Sequence, residues 1–220
     1  VFLLQGHQSH YFYNRDSLDL INVMYDPEKI ALPENELRRM PGYCAMFMLE
    51  PTYRRQHRFA SRLHLMRVPL GRAERLAEEL EAECTKKAAG FEVALRAKLL
   101  ELMVYLSRAY TNTETTEAHA LLRVGNVIGV LENDFSKNWK IDDLLRIAHM
   151  SRSNLMRVFR KATGQTPIEY LMRLRIQRSM EMLRNSDLSI TEIAMEIGFG
   201  DSNYFTRQFR AINRLTPSDY

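Results

Sequence analysis

Apolar residues recur at three- to four-residue spacing from Gly71 onward. Leu76, Leu80 and Cys84 share one face, and Phe91, Leu95, Leu99, Leu102 and Leu106 form a second stripe. That spacing predicts two helices over residues 71–110. Upstream the pattern differs. Residues 1–30 hold short aromatic and β-branched runs ("VFLL", "YFY", "LINVMY") broken by Gly6, Asn14, Asp16 and Pro27, which read as strands and hairpins. Residues 31–70 are ambiguous: "PENELRRMPGY" suggests a short helix ended by Pro41, and "SRLHLMRVPL" suits a strand returning to the same sheet. The polar stretch Tyr110–Ala120 lacks apolar periodicity and marks a domain boundary, with 113–120 as linker. Beyond it every segment reads as helix: Leu121–Leu131, Ile141–Ala148, then Arg152–Thr163 closed by Gly164 in a left-handed turn. Thr166-Pro-Ile-Glu169 and Ser189-Ile-Thr-Glu192 are capping boxes that open two more helices.

The second half repeats itself. "IAHMSRSNLMRVFRKATGQTP" (147–167) returns fifty residues later as "IGFGDSNYFTRQFRAINRLTP" (197–217). Each copy reads as a helix-turn-helix. In the first, Leu145, Leu155 and Phe159 supply the locking apolar face, the turn passes through His149 and Met150, and Ser151 caps the second helix. In the second, Ile193 and Ala194 lead into a turn at Gly198 and Phe199, with Asp201 as cap in preference to a cytosine contact. A helix-turn-helix lays its second helix in the major groove. Asn and Arg suit base edges there, because each can make two hydrogen bonds to adenine or guanine. The base-edge candidates are therefore Ser153, Asn154, Arg157, Ser202, Asn203, Thr206 and Arg207; Arg152, Arg160, Lys161 and Arg210 are phosphate candidates. The intervening helix, roughly 166–183, would span about 27 Å, suited to holding two reading helices one DNA turn apart.

Charge strengthens this picture. Residues 1–118 balance at 16 basic and 16 acidic side chains, whereas 119–220 carry 15 against 11, so the whole net charge of +4 lies in the repeated half. A basic excess confined to one segment is the footprint of nucleic-acid binding. Cys44 and Cys84 have no metal-ligand spacing and read as reduced cytosolic thiols. His7 and His10 lack the further ligands a metal site needs. No nucleophile–base pair or phosphate loop is visible, so neither an enzyme nor a cofactor is expected. No apolar stretch is long enough to span a bilayer, and no signal peptide is visible; a cytoplasmic protein is expected. The chain opens on Val1 without an initiator Met, as expected of a piece of something longer.

"ITEIAMEIGFGDSNYFTRQFRAINRLTP" (190–217) resembles the signature of the AraC/XylS transcription regulators, I-x-x-I-A-x-x-x-G-F-x-D-x-x-Y-F-x-R-x-F, then T-P after six residues, at every fixed position. It departs in carrying Arg214 where a Gly is usual, leaving Asn213 to supply the left-handed turn, and in ending at Tyr220 before the usual last helix. The resemblance implies an α+β chain: a partial cupin-like β-barrel (strands within 1–70) plus a helical pair (71–110), then an all-α DNA-binding domain with two helix-turn-helix units joined by a linker helix. The domains would be 1–112 for effector binding and dimerisation, 113–120 as linker, and 121–220 for DNA. "GHQSHYFYNRDSLDLINVMYDPEKI" (6–30) is similar to rhamnose-type, sugar-responsive members. His10 and Tyr11 are then the effector-binding candidates, with Leu95–Leu106 as a homodimer seam. Implied partners are double-stranded DNA, a small-molecule effector such as a sugar, and RNA polymerase. The rival reading is a cupin-type enzyme or ligand-binding protein with an accessory helical domain.

Overall fold

The fold is taken from a computed structural model, which describes residues 1, 20–27, 29–51, 63–113 and 115–220. The chain divides into two compact units, Val1–Gly125 and Asn126–Tyr220.

The first unit is helical, not a partial cupin-like barrel: among the described residues there is no strand. Helix α1 (Glu34–Leu37) and helix α2 (Pro41–Tyr43) run into a π-helical turn, Cys44–Leu49. Pro41 thus opens a helix instead of ending one, at the first helical position where its missing N–H costs nothing. The run Cys44-Ala-Met-Phe-Met-Leu explains why helix prevails. It contains no β-branched residue, and a short apolar run alone does not distinguish buried strand from buried helix. The described part of "SRLHLMRVPL", from Leu63 on, also takes no strand, because helix α3 (Arg67–Lys86) begins inside it. Pro69 lies in that helix's first turn, where no intrahelical donor is needed. The strands expected within residues 2–19, with His7, His10 and Tyr11, lie outside the described residues, as do Ser61 and Arg62.

Helices α3 and α4 (Phe91–Thr111) pack together, and α2 packs on α4. A Cβ on Gly42 would stand 2.0 Å from the Ser107 carbonyl oxygen, so only glycine permits that approach. Leu76 and Leu80 face the core as the spacing required, but Cys84 is exposed. Leu99, Leu102 and Leu106 are buried within their own unit. Tyr105 stitches the pair by donating to the Pro69 carbonyl at 2.8 Å beneath the Arg72 guanidinium, 5.0 Å from its ring centroid.

Helix α5 (Thr116–Asn133) starts five residues before the expected Leu121. The second unit then follows the predicted plan closely: α6 (Ile141–Ala148), α7 (Arg152–Thr163), the linker helix α8 (Pro167–Asn185), α9 (Ile190–Glu196) and α10 (Ser202–Asn213). No helix among the described residues is long and apolar enough to cross a membrane.

Candidate nucleic-acid interface

Local signals fix each reading helix. Ser151 caps α7 by accepting from the Asn154 N–H at 3.4 Å, and Asp201 caps α10 by accepting from the Asn203 N–H at 2.8 Å. Both sequence-read boxes close as well. The Thr166 and Ser189 hydroxyls accept from the Glu169 and Glu192 N–H groups, each at 3.3 Å, while those carboxylates accept in return. Hydrogen bonds from the Thr166 backbone and hydroxyl hold the Glu169 carboxyl below its ordinary range; the Ser189 hydroxyl and backbone do the same for Glu192.

The cores under the readers are apolar. In the first copy Leu144, Ala148, Leu155 and Phe159 are fully buried. Leu144 and Ala148, an i to i+4 pair, are thus the fully buried positions of α6, and Leu145 is half-buried. In the second copy Ile193, Ala194, Ile197, Phe199, Phe205 and Phe209 pack against Ile176 of the linker helix. The turns differ between copies: His149 takes the left-handed conformation in the first (φ 49°), Gly198 in the second (φ 86°).

What remains outside these cores forms two polar faces. Ser153, Arg157, Asn203 and Arg207 are exposed, and Asn154, Ser202 and Thr206 are partly exposed. Arg152, Arg160 and Arg210 are exposed, while Lys161 is half-buried. Arg157 donates to the Asn154 side-chain oxygen at 2.7 Å. The Thr206 hydroxyl donates to the Ser202 carbonyl at 2.9 Å, leaving its oxygen free to accept. Arg160 approaches Glu169 at 3.9 Å, both well exposed, which makes this pair weak.

Sequence reading did not single out the parts that hold the two copies together. Arg175 of the linker helix is 9% exposed, and its guanidinium donates to the carbonyls of Phe135 at 2.7 Å and Lys137 at 2.9 Å. Burial lowers its pKa. The same loop touches the second turn, where a Cβ on Gly198 would stand 2.1 Å from the Ser136 carbonyl oxygen. Beside this clasp, buried Glu132 accepts from the Tyr170 hydroxyl and lies 3.6 Å from Arg178. The signal for these residues was weak: two more Arg on a helix already rich in them.

Nor does Asn213 supply the last left-handed turn. Asn213 ends α10 in helical conformation, and Arg214 itself adopts φ 61°, at the place Gly164 holds in the first copy with φ 76°. A side chain in that region costs about 1 kcal/mol. Arg214→Gly is therefore expected to raise stability by about 0.5–1 kcal/mol, after the greater freedom of glycine in the unfolded chain is counted. Urea unfolding of the two proteins checks this.

A helix-turn-helix domain model matches residues 144–220. The HTH-type transcriptional activator RhaS of Salmonella arizonae is 30% identical over 225 residues, taking in all of this chain and 74% of the relative. The chain belongs to the AraC/XylS family of transcription regulators. It is of the rhamnose type and is a DNA-binding transcription regulator. The regulator is also similar to the HTH-type transcriptional activator RhaR of Mannheimia succiniciproducens, at 25% identity over 221 residues, with the whole chain matched to 74% of that protein. Among solved structures, the DNA-binding domain of AdpA, a global transcriptional factor, in complex with a target DNA, is similar at 26% identity. It covers 44% of this chain and 86% of that one, with a TM-score of 0.42.

Proposed function

We propose that the regulator binds specific sequences by placing α7 and α10 in two successive major grooves on one face of the DNA, in response to a small-molecule effector. The observation that carries this reading is the linker helix. Its 19 residues are about 28 Å long at a rise of about 1.5 Å per residue, and successive grooves lie about 34 Å apart. One chain then reads two short blocks, as a dimer of single readers would. Ser153, Asn154 and Arg157 meet base edges in one groove, and Ser202, Asn203, Thr206 and Arg207 in the other. Arg152, Arg160, Lys161 and Arg210 hold phosphates, supported by the basic excess of this half. Residues 1–112 form the effector and dimerisation part, 113–120 the connection, and 121–220 the DNA-binding part. The effector is a sugar or a related molecule, with His10 and Tyr11 among its contacts; RNA polymerase is a further partner. A homodimer forms through faces other than Leu99, Leu102 and Leu106, which pack inside their own protomer.

Selection of genomic fragments by the purified protein at two salt concentrations tests the double reader. Two short conserved blocks about one helical turn apart are expected; a single block or none would sink the two-groove reading. On a fragment so recovered, Asn203→Ala is expected to relax the preference at one base position and cost about 1–3 kcal/mol. Arg160→Ala should instead weaken binding to all DNA alike and flatten the salt dependence by about one charge. Titration on matched and mismatched duplexes separates the two effects.

A further inference from the structure

Tyr204 stands at the start of the second reading helix, 39% exposed. The Arg207 guanidinium lies over its ring, 5.8 Å from the centroid. The ring is itself braced. Phe199, 3% exposed, meets it at 5.7 Å with the planes tilted by 53°. The Arg175 guanidinium, pinned to the loop carbonyls, lies 5.8 Å from the Phe199 centroid. A series of ring and cation–ring contacts therefore runs from the linker helix to the exposed Arg207.

The first copy has a counterpart in the same register. Fifty residues earlier Asn154 aligns with Tyr204, and Arg157, which it holds by a 2.7 Å hydrogen bond, aligns with Arg207. Two unlike side chains at one position thus restrain the Arg one helical turn on. The chemistry differs in what it leaves available. Asn154 occupies one guanidinium donor, whereas an aromatic face attracts the cation through its quadrupole and leaves all five N–H groups free.

We infer that Tyr204 is a positioning residue for DNA recognition, its ring holding the Arg207 guanidinium ready for a base edge. A long side chain loses rotamer freedom when it is fixed at an interface. A ring that already restricts it reduces that loss without competing for the donors that guanine O6 and N7 require. This inference rests on the proposed base contact of Arg207.

The test measures affinity and base preference of the full chain on a selected fragment, for Arg207→Ala, Tyr204→Leu, Tyr204→Phe, Tyr204→Asn and the Leu/Ala double variant. Arg207→Ala is expected to lose about tenfold or more and to flatten the preference at one base position. Tyr204→Leu should flatten the same position and lose about three- to fivefold, the worth of an exposed cation–π contact, with an unchanged salt slope. Tyr204→Phe keeps the ring and should retain the preference; Tyr204→Asn, which installs the first copy's partner, should retain most of it. The double variant should match Arg207→Ala alone. Should Tyr204→Leu fail to fold, the Phe and Asn variants decide the matter. Losses that multiply in the double variant, a change at a different base position, or a Phe variant as poor as the Leu variant would each overturn the inference while leaving the Arg207 reading intact. An Arg207→Ala variant with unaltered preference would overturn both.

Discussion

Gly198→Ala is expected to destabilise the second unit by more than about 3 kcal/mol. Two costs combine. The position has φ 86°, which a residue with a Cβ adopts at a cost of about 1 kcal/mol. The added carbon would also meet backbone, at 2.1 Å from the Ser136 carbonyl oxygen and 2.7 Å from its carbon. Backbone cannot swing aside as a side chain end can, so the 135–137 loop must move and loosen its bonds to Arg175. Gly200→Ala is the matched control: nothing lies within 4 Å of its added Cβ, and a change within about 0.5 kcal/mol is expected. Urea unfolding, with helix content as the signal, distinguishes them. Equal midpoints for the two variants would show that the close approach to Ser136 is unimportant.

Arg175→Met is expected to cost about 2–4 kcal/mol and to impair binding at the second sequence block more than at the first. The guanidinium makes two good hydrogen bonds to backbone carbonyls, at 2.7 and 2.9 Å, and bonds to a charged donor contribute about 1.5–3 kcal/mol each. Release of a buried charge offsets part of this, since burial already lowers the Arg175 pKa. The Lys137 carbonyl keeps a bond from the Trp139 N–H at 2.8 Å; the Phe135 carbonyl is the one that loses most. Arg175→Lys should recover only part, because an ammonium cannot span two carbonyls as the planar fork does. Footprints over both blocks, beside unfolding curves, provide the check. Uniform weakening over both blocks would assign Arg175 to general stability alone.

These two sites also show where sequence was informative. Caps are local: Ser151, Thr166, Ser189 and Asp201 each bind a backbone N–H two or three residues away. The starts of α7 through α10 could therefore be read from neighbouring letters. The fifty-residue repeat and the Y-F-x-R-x-F spacing set the buried and exposed faces of both readers in the same way. The residues that join one copy to the other are not local. Arg175 reaches back to Phe135 and Lys137, and Gly198 rests on Ser136, across separations that periodicity does not register. Tyr204 lay three places before Arg207, as Asn154 does before Arg157, but a shared offset between unlike side chains does not look like a motif.

The first half misled for a different reason. Its short apolar runs carry no period long enough to separate strand from helix, and resemblance supplied a barrel in its place. Tyr43–Leu49 is a helical run, buried except at Phe47 and Met48, whose partner is α4, selected by the absence of a Cβ on Gly42. Cys84 failed for the opposite reason, since it extends a correct helical stripe beyond the point where the core ends.

The clasp at residues 135–137 also sets the limits of modularity. The surface on which the Gly198 turn closes is laid down earlier in the chain, outside the second helix-turn-helix. During synthesis that surface emerges first, so the later unit closes on a template already present. A fragment that begins after Lys140 carries both reading helices yet lacks this template. An exchange of reading heads between relatives would therefore need to carry Asp134–Lys137 with residues 186–220, although no part of that loop belongs to either reader.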